Sequence, residues 1–218
     1  MLSDEFEKIV LLNRKYTLCD NNGKTSDGKN FRMIKGNIPV LLSAPHSVRC
    51  MRNNMIKPSD RMTGGIVEYM CQKYDLCGIT RTFNNNDDPN HYNTSPSSEY
   101  KNAAIDLINS DNIRFMFDIH GCNDDHGFEI EIGTNSGKNL NNKEFIEIAE
   151  DTLSETGIVS VDTLFRASAP ETVSHYIHER TNINCFQIEI CHTVRDVPER
   201  LLHFIDTFIK LIFILKGR

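Results

Sequence analysis

No block of lysine or arginine interrupts this sequence, and its formal net charge is −6. Nucleic acid is therefore not an expected partner, because phosphate contacts need a concentrated basic face. The seven cysteines, at 19, 50, 71, 77, 122, 185 and 191, contain no Cys-x-x-Cys pair, so a cysteine zinc finger has no support. No apolar run reaches the ~20 residues of a membrane-spanning helix. The nearest, LLHFIDTFIKLIFILK, carries Asp206 and Lys210 and reads as an amphipathic helix that closes a core. A membrane is not an expected partner either. The first residues, MLSDEFEKIV, are acidic and lack the apolar centre of a secretion signal. The expectation is a cytoplasmic protein with reduced thiols. Internal repeats, low-complexity tracts and a clear linker are lacking too, which leaves a single domain over 1–218.

What is present is the composition of a globular chain, 39% hydrophobic and 25% charged. A helix is expected over 3–13, then strands at 15–19 and 31–35 separated by the turn-rich NNGKTSDGKN. A strand at 40–43 leads through a polar loop to a helix starting near Pro58-Ser59-Asp60, with Ile66, Val67 and Met70 on one face. Gly64-Gly65 either weakens that helix or marks a close approach to its first turn. Further strands are expected at 79–83, 113–119, 128–132, 158–161 and 185–191, with helices near 103–108, 144–153 and 172–179. The long polar loop NNNDDPNHYNTSPSS is of a kind that usually has a function. This alternation predicts an α/β fold with a mixed, mostly parallel sheet flanked by helices.

Three of the apolar runs end in residues that can do chemistry. VLLS is followed by Ala44-Pro45-His46-Ser47, RFMFDIHG carries Asp118 and His120, and CFQIEICHT holds Glu189 between two isoleucines. In a parallel sheet the carboxyl ends of strands share one edge, where such residues meet. His46 and His120 are candidate metal ligands, because two histidines and one carboxylate form a common zinc set that leaves a position for water. Asp118 alternates with His120 and could orient it through a hydrogen bond, or serve only as a structural partner. Asp60 is either the third ligand or an ordinary helix cap. Glu129 and Glu131 are expected to face solvent. Glu189 points opposite to its isoleucine neighbours and is either a general base or one half of a salt bridge.

Ala-Pro-His-Ser after a strand, an Asp-initiated helix, FDIHG and the late FQIEI strand together resemble the N-formylglutamate amidohydrolase family, from about 40 to 195. The resemblance implies a zinc carboxypeptidase-like (phosphorylase/hydrolase-like) fold, with Zn2+ held by His46, Asp60 and His120. It also implies hydrolysis of an amide by metal-activated water, with Glu189 as general base. The substrate implied is a small N-acyl amino acid, N-formyl derivatives included, or a short peptide. A cation should stabilise the oxyanion or bind a substrate carboxylate, and Arg81 and Arg166 are the candidates. Tyr176 could close over substrate. Both Arg166 and Tyr176 also have plain readings, as surface charge and as packing. Where family members often carry Asp-x-Asn-Arg, this chain has Asp88-Pro89-Asn90-His91. Asn90 and His91 thus fall at substrate-binding positions, but histidine is a weaker, pH-dependent anion binder. That departure puts the formylglutamate substrate in doubt more than the amide chemistry. A carboxypeptidase, a peptidoglycan-type amidase and a non-catalytic metal-binding protein stay open as alternatives; the presence of Glu189 counts against the last.

Overall fold

The computed structural model describes residues 3–25 and 28–218. Its elements in chain order are α1 (Asp4–Asn13), a 3-10 turn (Arg14–Tyr16), the single turn α2 (Leu18–Asn21), β1 (Phe31–Ile34), β2 (Ile38–Ala44), β3 (Cys50–Arg52) and β4 (Met55–Lys57). There follow α3 (Thr63–Tyr74), β5 (Leu76–Arg81), α4 (Ser95–Ser110), β6 (Phe115–Cys122), β7 (Ile130–Gly133), α5 (Glu144–Leu153) and β8 (Val159–Val161). The chain ends with α6 (Val173–Thr181), β9 (Asn184–Cys191), α7 (His192–Arg195) and α8 (Pro198–Lys216). Seven strands form one sheet in the order β1-β5-β2-β6-β9-β7-β8. Strands β5, β2, β6 and β9 run parallel, β1 and β7 pair antiparallel to β5 and β9, and β8 is parallel to β7. The mixed, mostly parallel α/β architecture is the one expected.

Alternation along the central strands divides the two faces. Val40, Leu42, Phe115, Phe117, Ile119, Phe186, Ile188 and Ile190 belong to a core shared with α1, α3, α5 and α8. On the opposite face Leu41, Met116 and Cys185 pack with residues of α4 and α6. Further along the same strands this second face turns polar. Register places Ser43, Asp118, Gln187 and Gly133 side by side in one row across four strands, and His120, Glu189 and Glu131 in the row nearer the carboxyl edge. The site residues are thus the continuation of an apolar layer.

Several local expectations give way. Residues 15–19, expected as a strand, form tight turns in which Cys19 and Asp20 adopt left-handed φ. Part of the turn expected over 21–30, at 26 and 27, lies outside the described residues. The polar loop after His46 contains a hairpin, β3–β4, closed by Asn53 and Asn54 at φ 52° and 60°. Two left-handed residues in a two-residue loop are the pattern of a type I′ turn. Helix α3 starts at Thr63 after Met62 at φ 70°, so Asp60 is not its cap. Gly64 does mark a close approach: a Cβ there would meet a Tyr16 ring carbon at 2.5 Å and Ser47 Cβ at 2.7 Å. The N-terminal segment thereby braces the turn that carries His46. The helix α8 lies over the core, and among the described residues no helix is long and apolar enough to cross a membrane.

Candidate active site

His46 follows β2, Asp60 precedes α3, and His120 lies near the end of β6; all three are buried. Their inward atoms form a nearly equilateral triangle. His46 Nδ1 is 3.1 Å from His120 Nδ1 and 3.2 Å from Asp60 Oδ2, and His120 Nδ1 is 3.3 Å from Asp60 Oδ2. The outer ring nitrogens are occupied elsewhere. His46 Nε2 donates to Asp88 Oδ1 at 2.8 Å, and His120 Nε2 donates to Asp118 Oδ2 at 2.9 Å. With both rings neutral, as metal ligands must be, and the hydrogen on each Nε2, two imidazole lone pairs and a carboxylate oxygen converge with no donor between them. Uncompensated, that convergence is repulsive. A tetrahedral zinc with bonds of ~2.0 Å holds its ligand atoms roughly 3.3 Å apart, so the donor set and its spacing fit such an ion with one position open. Carboxylates on the outer nitrogens of both ligands are the usual partners of metal-bound histidines.

The electrostatics agree with a site built for a cation. Burial alone would raise the Asp60 carboxyl, yet Lys57 and the two histidines hold it well below the usual range. Burial likewise works against charge on His120, but Asp118 and Asp60 outweigh it and raise its pKa well above the ordinary value. Asp88 is also lowered, with burial overcome by His46 and by Arg52, whose Nη2 lies 2.7 Å from its Oδ2. A second grouping, His46, Cys50 and Asp88, is a poorer fit. Burial pushes the Cys50 thiol up to about 12, and Asp88 is already committed to His46 and Arg52.

A cavity of about 300 Å³ opens beside the triangle. Glu189 is on its wall; burial raises its carboxyl to about 7, with His120 pulling the other way. Gln187 Nε2 donates to Glu189 Oε1 at 3.0 Å. Asn90, His91 and Arg166 also line this cavity, as do Arg52 and Lys57. Asn90 Oδ1 accepts from Val173 N at 2.8 Å, which ties the polar loop to α6. Arg166 is exposed, and its Nε reaches only Thr163 O at 3.3 Å.

Two expected site residues are not on this wall. Arg81 is 1% exposed, and its guanidinium donates to Phe83 O, Asp87 O and the Asn85 side chain. It braces the polar loop from beneath and is not among the residues that line the cavity. Tyr176 is buried with its ring 3.5 Å from the Arg180 guanidinium carbon and 4.4 Å from Lys101 Nζ. That packing holds it in the α4–α6 layer. Glu131, expected to face solvent, is fully buried. Its Oε1 accepts from the backbone N–H groups of Thr163, Leu164 and Phe165 at 2.6, 2.6 and 3.1 Å. It anchors the strap 163–169, which lines the cavity with Phe165 and Arg166. Arg52 and Lys57 sit on the hairpin, whose only signal in the sequence is Asn53-Asn54 between the pairs Met51–Ile56 and Arg52–Met55.

No family model matches the chain, and no curated protein matches it in sequence. Solved structures do match. The fold is similar to that of N-formylglutamate amidohydrolase from Ralstonia eutropha JMP134, at 13% identity and TM-score 0.63, over 86% of this chain and 97% of that one. It is similar to a bacteriophage poly-gamma-glutamate hydrolase at 13% identity and TM-score 0.57, over 88% and 93% of the two chains. The gene product Atu2144 from Agrobacterium tumefaciens matches at 11% identity and TM-score 0.61, over 85% and 92%. The chain therefore has the fold of N-formylglutamate amidohydrolase, the zinc carboxypeptidase-like fold that the sequence resemblance implies, with a buried two-histidine, one-aspartate candidate metal site at its strand ends.

Proposed function

We propose that the protein is a zinc-dependent amidohydrolase acting on an N-acyl amino acid or a related small amide. The observation that carries this reading is the triangle of His46, Asp60 and His120 with Glu189 beside it on one cavity wall. Zinc held by the three residues supplies Lewis acidity toward water and toward a substrate carbonyl. In the hydrolysis the C–N bond breaks, a C–O bond to water forms, and a proton passes to the leaving nitrogen. Glu189 is the group that takes up the proton at its carboxylate and delivers it to that nitrogen. Its raised pKa suits both halves of the task, because a carboxyl near neutrality gains and gives a proton with little penalty.

Arg52 and Lys57 are paired with Asp88 and Asp60, whereas Arg166 is free of any carboxylate among the described residues. Arg166 is therefore the cation that meets a substrate carboxylate, with Asn90 and His91 on the same wall. Two of the fold neighbours are, by name, hydrolases of glutamate derivatives, which supports an amide bearing a carboxylate.

Metal analysis of the purified protein, followed by a screen of N-formyl and N-acetyl amino acids and dipeptides, tests the reading. The expected result is about one zinc per chain and hydrolysis of at least one acidic member of the panel. Failure of the zinc-loaded protein to release amine from any of them would remove it.

A further inference from the structure

Glu189 is buried, yet a single group donates to it among the described residues: Gln187 Nε2, 3.0 Å from its Oε1. Oε2 accepts no hydrogen bond among those residues and is left free on the cavity wall. The carboxylates that flank the triangle are held differently. Asp60 Oδ1 accepts from Lys57 Nζ at 2.7 Å, and Asp88 Oδ2 accepts from Arg52 Nε at 2.9 Å, so each is fixed by a cation. Glu189 is fixed by a neutral amide.

The strand register explains why Gln187 serves this one partner. The two residues are two apart on β9 and so share a face. In its own row Gln187 lies between Asp118 of β6 and Gly133 of β7. Asp118 is already occupied, with Ser43 Oγ on its Oδ1 at 2.6 Å and His120 Nε2 on its Oδ2 at 2.9 Å. Gly133 offers no side chain, and a Cβ there would collide with Phe165 O of the strap. Glu189 is what remains. Gln187 is itself 4% exposed, and its Oε1 is buried with no hydrogen-bond partner among the described residues. An orphaned buried acceptor destabilises a fold, so packing alone does not account for a glutamine at this position.

A neutral donor suits a carboxyl that must both take and give a proton. With Nε2 on Oε1, the proton enters and leaves through Oε2. The amide donates equally to a carboxylate and to the carbonyl oxygen of a carboxylic acid, so the group keeps one orientation before and after the proton arrives. A lysine or arginine in its place would favour the ionised form and oppose delivery to the leaving nitrogen.

We infer that Gln187 is a positioning residue for the hydrolysis: its amide orients the Glu189 carboxylate so that the proton is exchanged at Oε2. The inference rests on the amidohydrolase reading, and the experiment separates the two. The probe is acetohydroxamic acid, which chelates zinc through two oxygens and gives its hydroxyl proton to an adjacent base. Its affinity is measured calorimetrically for the zinc-loaded wild type, Gln187→Met, Glu189→Gln and the double variant. Each single substitution should weaken binding by about fivefold or more. The double variant should bind within about twofold of Glu189→Gln, because a residue that acts through Glu189 then has nothing left to orient. On the best substrate of the panel, Gln187→Met should lower kcat by about tenfold or more and leave KM within about twofold. Additive losses, unchanged affinity, or a raised KM with kcat intact overturn the role.

Zinc content and a urea transition are measured for every variant. Gln187→Leu takes the place of Gln187→Met if the latter unfolds; unfolding of both would make Gln187 a residue of the fold and overturn its role as well. Non-additive binding with no turnover of any panel member removes the amidohydrolase reading and leaves the Gln187–Glu189 coupling standing. Turnover with additive binding removes only the role of Gln187. A zinc-loaded wild type that binds no hydroxamate has no open metal position beside Glu189, and both fall.

Discussion

His120 and Glu189 are register partners on the adjacent parallel strands β6 and β9, one with Nδ1 in the ligand triangle and the other with its carboxylate on the cavity wall. Side chains alternate strictly along a strand, so a slip of one residue would exchange Glu189 for an isoleucine. The pairing therefore fixes which residue stands beside the ligand triangle, and under the proposed function that residue is the base. Glu189→Gln keeps the shape and removes the base. It should retain metal and fold, and lose hydrolysis by about 100-fold or more. Metal analysis together with turnover on the best substrate of the panel checks this; undiminished turnover would exclude Glu189 as the base.

The outer carboxylates set which nitrogen of each ring carries its hydrogen. Asp118 does so for His120 and also accepts from Ser43 Oγ at 2.6 Å, so its own orientation is fixed. Asp118→Asn should weaken metal binding by about 10–100-fold without removing a ligand. His120→Ala should abolish binding outright. Competition with a chelator of known affinity measures both, and equal affinity in wild type and Asp118→Asn would show that the triangle orients itself.

The parts of this structure that the sequence announces are those whose burial is uniform. VLLS, RFMF and FQIEI read as strands because they are buried on both sides, and 144–153 read as a helix from its strong apolar face. The ends of the same strands named His46, His120 and Glu189. Glu131 was unreadable for a specific reason. Alternation tells which residues share a face, but not that the strap 163–169 covers that face and turns three N–H groups toward it. Arg81 and Tyr176 are the converse case, with side chains of suitable chemistry near the right elements that are committed to carbonyls and to ring packing.

Glu131 offers a direct test of that strap. One carboxylate oxygen accepts three backbone hydrogens, and charge-assisted bonds of this kind are worth more than neutral ones. Glu131→Gln should cost about 1.5–3 kcal/mol in urea denaturation. It should also raise KM more than it lowers kcat, because Phe165 and Arg166 on the strap line the cavity while the triangle is untouched. A loss of stability with KM unchanged would make the strap structural only.

Lys101 joins the same rim from the other side. Its Nζ donates to Tyr92 O at 2.8 Å, Asn93 Oδ1 at 2.5 Å and Glu171 O at 2.9 Å, holding the polar loop against the segment that leads into α6. Burial lowers its pKa from 10.5 to about 8, against the pull of Asp87 and Glu171. Below pH 8 the lysine is charged in both the folded and the unfolded chain, so it adds no slope. Between about 8 and 10.5 the unfolded chain holds the proton and the folded one releases it, so this residue's contribution to stability rises with pH. Above 10.5 both are neutral and the slope vanishes. Other groups that titrate in the window are common to wild type and a Lys101→Met variant and cancel in their difference. Urea midpoints at pH 7.5 and 9.5 should therefore show wild type gaining on Lys101→Met at the higher pH; a constant difference would mean that the ammonium is as well solvated in the folded protein as in the open chain.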